Sequence, residues 1–150
     1  MASSYSNILI HLVFSTKHRE PLIGDAWRHE LHACMATIAR NAECPLLAVN
    51  SMPDHVHLLL PLSRSVTMAD LVRDVKVASS KWIGESGLTS TPFAWQTGYG
   101  AFSVSASHRV AVMEYIANQA EHHRRQSFQD EFVALLRRYE IDFEEKYVFG

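Results

Sequence analysis

Pro53-Asp54-His55-Val56-His57-Leu58-Leu59-Leu60 alternates imidazole and aliphatic side chains behind a Pro-Asp turn, which predicts a strand over His55–Leu60. Successive side chains of a strand point to opposite faces. His55 and His57 therefore share one face, and Val56, Leu58 and Leu60 share the other. Pro45–Ser51 reads as a second strand, and the turn Met52-Pro53-Asp54 is short enough to join the two as a hairpin.

Upstream, Asn7–Phe14 alternates Ile8, Ile10, Leu12 and Phe14 against Leu9, His11 and Val13, giving a first strand. Lys17-His18-Arg19-Glu20-Pro21 is a polar loop. Asp25 can cap a helix running to about Asn41, with Trp27, Leu31, Cys34/Met35 and Ile38 on one stripe. Downstream, Thr67 with Asp70 makes a capping-box variant at the head of a second helix. Its stripe is Met68, Leu71, Val72, Val75, Ala78/Ser79 and Trp82. Gly84–Pro92 is a loop, and Phe93–Val104 reads as extended, with a bend at Gly98 and Gly100. Ser107 can cap a third helix through about Arg125. Ser127 and Asp130 start a fourth, striped by Phe128, Phe132, Leu135, Leu136 and Tyr139.

The order is β-α-β-β-α-β with added helices, which is the ferredoxin-like arrangement of an α+β fold. Two helices should cover one face of an antiparallel sheet and leave the other face open for function. A chain of 150 residues reads as one domain: a core over residues 5–105, a helix at about 107–125, and a C-terminal helix and tail over 127–150.

Composition narrows the class. With 47% hydrophobic residues and no low-complexity tract, the chain reads as a soluble globule. The start, Met-Ala-Ser-Ser-Tyr-Ser, lacks a basic and an apolar signal region, and no apolar run approaches the roughly 20 residues of a spanning helix. Cys34 and Cys44 form no CxxC-type unit, so both are expected to be reduced thiols in a cytoplasmic protein. Net charge is −2, yet residues 1–125 carry 11 Lys+Arg against 10 Asp+Glu and residues 126–150 carry 3 against 6. The acid is concentrated in the tail, which leaves the body free to present a local basic surface.

Two imidazoles two residues apart on a strand make half of a metal site, though the pair does not name the metal. The plain alternative is a pair of solvent-facing or hydrogen-bonded histidines. The pair lies in an otherwise apolar run, where an unpartnered polar group is costly, and this favours ligation. Glu114-Tyr115-Ile116-Ala117-Asn118-Gln119-Ala120-Glu121-His122-His123 supplies the second signal. Tyr115 and Gln119, four apart, lie one above the other on a helix, with His108 and His122 near the same face. Alone, this is an amphipathic helix with a half-buried tyrosine.

Together, His-hydrophobic-His on a central strand and Tyr-x-x-x-Gln on a later helix resemble the single-tyrosine HUH transposases. More closely, the chain resembles the small transposases of insertion-sequence 200/605 elements, the IS200-like transposases. The resemblance covers nearly the whole length, through His11-Leu12-Val13-Phe14-Ser15-Thr16-Lys17, Met52-Pro53-Asp54-His55-Val56-His57, Phe93-Ala94-Trp95-Gln96-Thr97-Gly98-Tyr99-Gly100-Ala101-Phe102-Ser103-Val104-Ser105 and Tyr115-Ile116-Ala117-Asn118-Gln119. It implies a ferredoxin-like core, a homodimer with sites shared between subunits, and single-stranded DNA bearing hairpins near element ends as substrate. It also implies a divalent metal, Mg2+ or Mn2+, on His55 and His57 with Gln119 as third ligand. Tyr115 would attack the scissile phosphate, leaving a 5′-phosphotyrosine and a free 3′-OH. A tyrosine hydroxyl is a weak nucleophile at neutral pH unless activated, and a metal on the phosphate oxygens would stabilise developing charge.

Lys17 and Arg19 after the first strand, and Arg73, Lys76 and Lys81 on the second helix, are candidate DNA phosphate contacts, with a solvated surface equally open for each. Among Trp95, Tyr99 and Phe102, core packing is expected for at least two, and base stacking is the alternative. His11 is placed near the metal but not as a ligand. His122-His123-Arg124-Arg125 reads as a basic helix end matched to the helix dipole, with DNA contact the lesser alternative. Two other classes compete with the transposase reading. A histidine-triad phosphoesterase would need a third histidine where Leu59 stands. A non-catalytic RRM-like module would display aromatics, not His55 and His57, at the sheet centre.

Overall fold

The computed structural model describes residues 3–149. Strands β1 (Leu9–Ser15), β2 (Ala48–Met52), β3 (His55–Pro61) and β4 (Gly100–Val104) form one antiparallel sheet in the order β2-β3-β1-β4. Helices α1 (Arg28–Asn41) and α2 (Met68–Glu85) cover one face, completing the ferredoxin-like α+β arrangement read from the sequence. Ile10, Leu12 and Phe14 of β1 and Val56, Leu58 and Leu60 of β3 meet Leu31, Met35, Leu71, Val75 and Ile83 in that layer. Each such buried side chain contributes about 1.5–3 kcal/mol of transfer free energy. The strand period is therefore realised as written: aliphatic side chains enter this core, and His55 and His57 face away from it.

Four local expectations change. Asp25 does not cap α1; it pairs with Arg28 at 3.5 Å, and Trp27 holds the cap position without a side-chain bond. The last strand is short because the preceding chain leaves the ladder. Lys76 Nζ donates to the carbonyls of Gln96 at 2.8 Å and Gly98 at 2.7 Å, and only Thr16 and Trp95 bridge there. The third helix is broken. Residues 106–108 form a 3-10 turn, α3 is Arg109–Ala117, and α4 is Gln119–His122. At the break, Asn50 of β2 donates through Nδ2 to the Ile116 carbonyl at 2.8 Å, taking an acceptor that would otherwise lie unpaired at the helix end.

The fourth difference bears on function. The sheet face expected to be open is covered by α3, α4 and the last helix, α5 (Phe128–Arg138). Ser127 caps α5 by accepting from Asp130 N, as the sequence implies. Phe128, Phe132 and Leu136 recur every four residues, an apolar stripe that must be buried. Val13 and Phe102 on the sheet provide the surface for it. At Gly100 a Cβ would lie 2.8 Å from the Phe132 ring, so glycine is what lets α5 approach. Ile116 of α3 packs beside this on Leu9, Leu59 and Val104. Both cysteines are free thiols, and no helix among the described residues is long and apolar enough to cross a membrane.

Candidate active site

Between the sheet and this second helical layer the structure gathers His55, His57, Tyr115 and Gln119, together with His123 and Glu131. His55 and His57 are fully buried on β3, as the apolar flanks of the strand require. Each imidazole is anchored by one nitrogen and turned inward by the other. His55 Nδ1 lies 2.7 Å from Asp54 Oδ1, His57 Nδ1 lies 2.8 Å from His11 Nε2, and His123 Nδ1 donates to the Gln126 carbonyl at 2.7 Å. All three Nε2 atoms then converge. Glu131 Oε1 lies 3.0 Å from that of His57, 3.2 Å from that of His123 and 3.5 Å from that of His55. Gln119 Oε1 lies 3.1 Å from His123 Nε2 and 3.4 Å from His55 Nε2, with the whole residue buried.

One nitrogen held by an outer carboxylate, carbonyl or ring, with the other facing a shared point, is how metal-ligating histidines are oriented. The ligand atoms of His55, His57, His123 and Glu131 all lie within 4.8 Å of one another. Three imidazoles, a carboxylate and an amide oxygen fit a divalent metal ion. The Tyr115 hydroxyl donates to Glu131 Oε2 at the edge of this cluster. The Tyr115 ring lies 5.8 Å from that of His57, and His122 packs over it at 4.6 Å. Despite the helix break, Gln119 remains tied to Tyr115, donating to its carbonyl.

The electrostatics follow from burial around one carboxylate. Burial and the neighbouring His57 push His11 down to about 3, so it is neutral at physiological pH. Burial likewise lowers His57, against the pull of Glu131. Burial would raise Glu131, but hydrogen bonds from His123 and His57 outweigh it and hold the carboxyl well below the usual range. Burial and the Glu131 contact raise Tyr115, so in this arrangement the phenol keeps its proton.

Other sequence candidates are placed elsewhere. Arg73, Lys76 and Lys81 lie on α2, across the sheet from the cluster. Arg73 pairs with Asp70 and Asp74, Lys76 closes the loop before β4, and Lys81 lies 3.9 Å from Glu85. Lys17 is exposed, and the Arg19 guanidinium sits 4.9 Å from the Phe149 ring. Trp95 and Phe102 are core residues, and Tyr99 is exposed. The sequence reading gives His123 only as part of a basic helix end and gives Glu131 no role, yet signals existed. His123 continues the Tyr115, Gln119 spacing by another four residues, and Glu131 interrupts the apolar stripe of α5.

The family described as transposase IS200-like matches residues 4–119. The chain belongs to the IS200-like transposases. Its relatives include the ISDra2 transposase TnpA of Deinococcus radiodurans, 26% identical over 73% of this chain and 81% of that protein. The crystal structure of a Deinococcus radiodurans protein assigned as a transposase superposes with a TM-score of 0.63 at 26% identity, covering 79% of this chain and 95% of the other. A REP-associated tyrosine transposase bound to a REP hairpin shares the fold, with a TM-score of 0.62 at 13% identity over 82% of this chain and 73% of the other. This IS200-like chain is thus a DNA transposase, an enzyme class that cleaves DNA. The family match stops at Gln119, so His123 and Glu131 lie beyond it.

Proposed function

We propose that this transposase cleaves and rejoins single-stranded DNA at hairpin-bearing element ends through a 5′-phosphotyrosine on Tyr115. The observation that carries the reading is the convergence of three anchored imidazole Nε2 atoms and the Glu131 carboxylate beside the Tyr115 hydroxyl. His55 and His57 would hold a divalent metal, Mg2+ or Mn2+, with Gln119 as third ligand and His123 and Glu131 within reach of the same ion. Such an ion, when bound, supplies charge stabilisation and orientation to a scissile phosphate.

The protein's own groups do the rest. Asp54, His11 and the Gln126 carbonyl fix the rings. Phe128 stacks on His55 with ring centroids 4.5 Å apart, and the buried Phe102 and Ile116 back the same layer. Tyr115 Oη forms a bond to phosphorus as the bond from phosphorus to the 3′ oxygen breaks. The phenolic proton passes along its hydrogen bond to Glu131, and the departing 3′ oxygen takes that proton up to leave as a hydroxyl. Reversal by another 3′-OH rejoins DNA and frees Tyr115, with no nucleotide cofactor. The hairpin bound by the REP-associated relative supports the substrate class.

Within one chain the Tyr115 ring lies 5.8 Å from that of His57, which supports a site built in cis as the reading to set beside the shared site that the resemblance implies. We therefore read each site as complete in one subunit, and a homodimer would serve to pair two DNA ends. Incubation with single strands from the DNA flanking its own gene, plus Mn2+, should give a denaturant-stable protein–DNA adduct that chelator prevents. Adduct formation unaffected by chelator, or none on any flanking strand, would contradict the proposal.

A further inference from the structure

A cavity of about 690 Å³ opens between α3 and α5 immediately beside the nucleophile, with His11, His108, Tyr115, Glu131, Arg138 and Tyr139 on its walls. That volume lies within the range of sites for small ligands, roughly 300–1,000 Å³. Its two ends differ in chemistry. Glu131, Leu135 and Arg138 recur along one face of α5 at helical spacing, so the helix presents a carboxylate deep in the cavity and a guanidinium at the rim. Val112, Leu135 and Tyr139 give apolar wall between them, and Tyr139 is held in place against Phe102 with ring centroids 4.8 Å apart.

Arg138 is exposed and makes no hydrogen bond or ion pair with any described residue. Its neighbour Arg137 also lies in the last turn of α5, so either satisfies the helix dipole. Only Arg138 faces the Tyr115 cavity; Arg137 borders a different hollow with Phe143 and Phe149. An unpaired guanidinium, an aromatic-apolar wall and a nucleophile around one nucleotide-sized space suit a phosphate, a base and a scissile bond in turn.

We propose that this cavity holds the nucleotide adjoining the scissile phosphate, with Arg138 binding that nucleotide's phosphate and Tyr139 and Leu135 facing its base. The proposal rests on Tyr115 as nucleophile. It assigns a substrate-positioning residue to a helix that lies outside the family match.

The test uses the full chain and a strand that wild type cleaves, synthesised with a neutral methylphosphonate at each phosphate in turn near the cleavage point. Arg138→Gln should slow adduct formation about tenfold or more, while Arg137→Gln changes little. Mn2+ affinity and thermal midpoint should be unchanged in both. At one phosphate next to the scissile one, the neutral substitution should slow wild type and have no further effect on Arg138→Gln. Equal sensitivity of wild type and Arg138→Gln to every substitution would overturn the assignment while leaving Tyr115 as nucleophile. Anisotropy with Tyr115→Phe backgrounds and the same strands gives the coupling as binding, without cleavage. An absence of any wild-type adduct, with no Arg138-dependent coupling in binding, would instead remove the nucleophile reading and this proposal together.

Discussion

Tyr115 and His57 are joined through a single carboxylate: the Tyr115 hydroxyl donates to Glu131 Oε2, and Glu131 Oε1 lies 3.0 Å from His57 Nε2. The nucleophile and the metal ligands thus draw on the two oxygens of one carboxylate. A metal that draws on this carboxylate weakens its hold on the phenol, so metal loading and release of Tyr115 are coupled. Tyr115→Phe removes the competing donor and should bind Mn2+ several-fold more tightly than wild type, about 1 kcal/mol for one hydrogen bond. Isothermal titration checks this. Weaker binding by the variant would show that the phenol supports the metal site.

Glu131→Gln keeps the shape of the side chain and removes its charge. Because Glu131 Oε1 meets three Nε2 atoms, the variant should lose roughly 10–100-fold in Mn2+ affinity. His57→Ala should abolish cleavage outright and leave hairpin affinity largely intact, since phosphate contacts dominate DNA binding. If Glu131→Gln bound Mn2+ like wild type, the ligand set would reduce to His55, His57, His123 and Gln119.

Stability should fall on acidification even without metal. His32 is buried against Ser51 and its pKa is lowered to about 4, by burial first and then by Arg28 and His29. Below the unfolded value of about 6.5 the unfolded chain takes up a proton that the folded chain refuses, so stability rises with pH across that window. From pH 7 to pH 5 this one group should cost about 1–2 kcal/mol. His11 acts with the same sign. His123, raised on balance by Glu131 although burial opposes it, acts oppositely. Thermal melts of His32→Gln should show a shallower slope between pH 7 and pH 5, and an unchanged slope would refute the linkage.

Sites complete within one chain make a sharp complementation prediction. Co-expressed heterodimers of Tyr115→Phe with His57→Ala should form no adduct, because each chain lacks one required group. Restored cleavage would mean that Tyr115 of one subunit serves the histidines of another.

The sequence made the central hairpin legible because a period of two and a Pro-Asp turn are local signals. It likewise exposed the His55–His57 pair and the Tyr115–Gln119 spacing. The apolar stripe of α5 was visible too, but not its destination. Its docking over Val13 and Phe102 depends on a contact at Gly100 between parts of the chain 32 residues apart. That docking closes the face expected to be open and carries Glu131 into the site. The helix break before Gln119 was equally hidden, since Asn50 on a distant strand takes the Ile116 carbonyl. His123 looked like one of four basic residues at a helix end, and only the fold separates it from its neighbours.

The most direct measurement is to map the covalent link itself. Trypsin cutting after Arg109 and Arg124 releases residues 110–124, in which Tyr115 is the sole tyrosine. After reaction with a single strand from the element end, nuclease trimming and mass spectrometry should find this peptide carrying a 5′-linked nucleotide on Tyr115, and Tyr115→Phe should carry none. A nucleotide on any other residue, Tyr99 or Tyr139 included, would contradict the account.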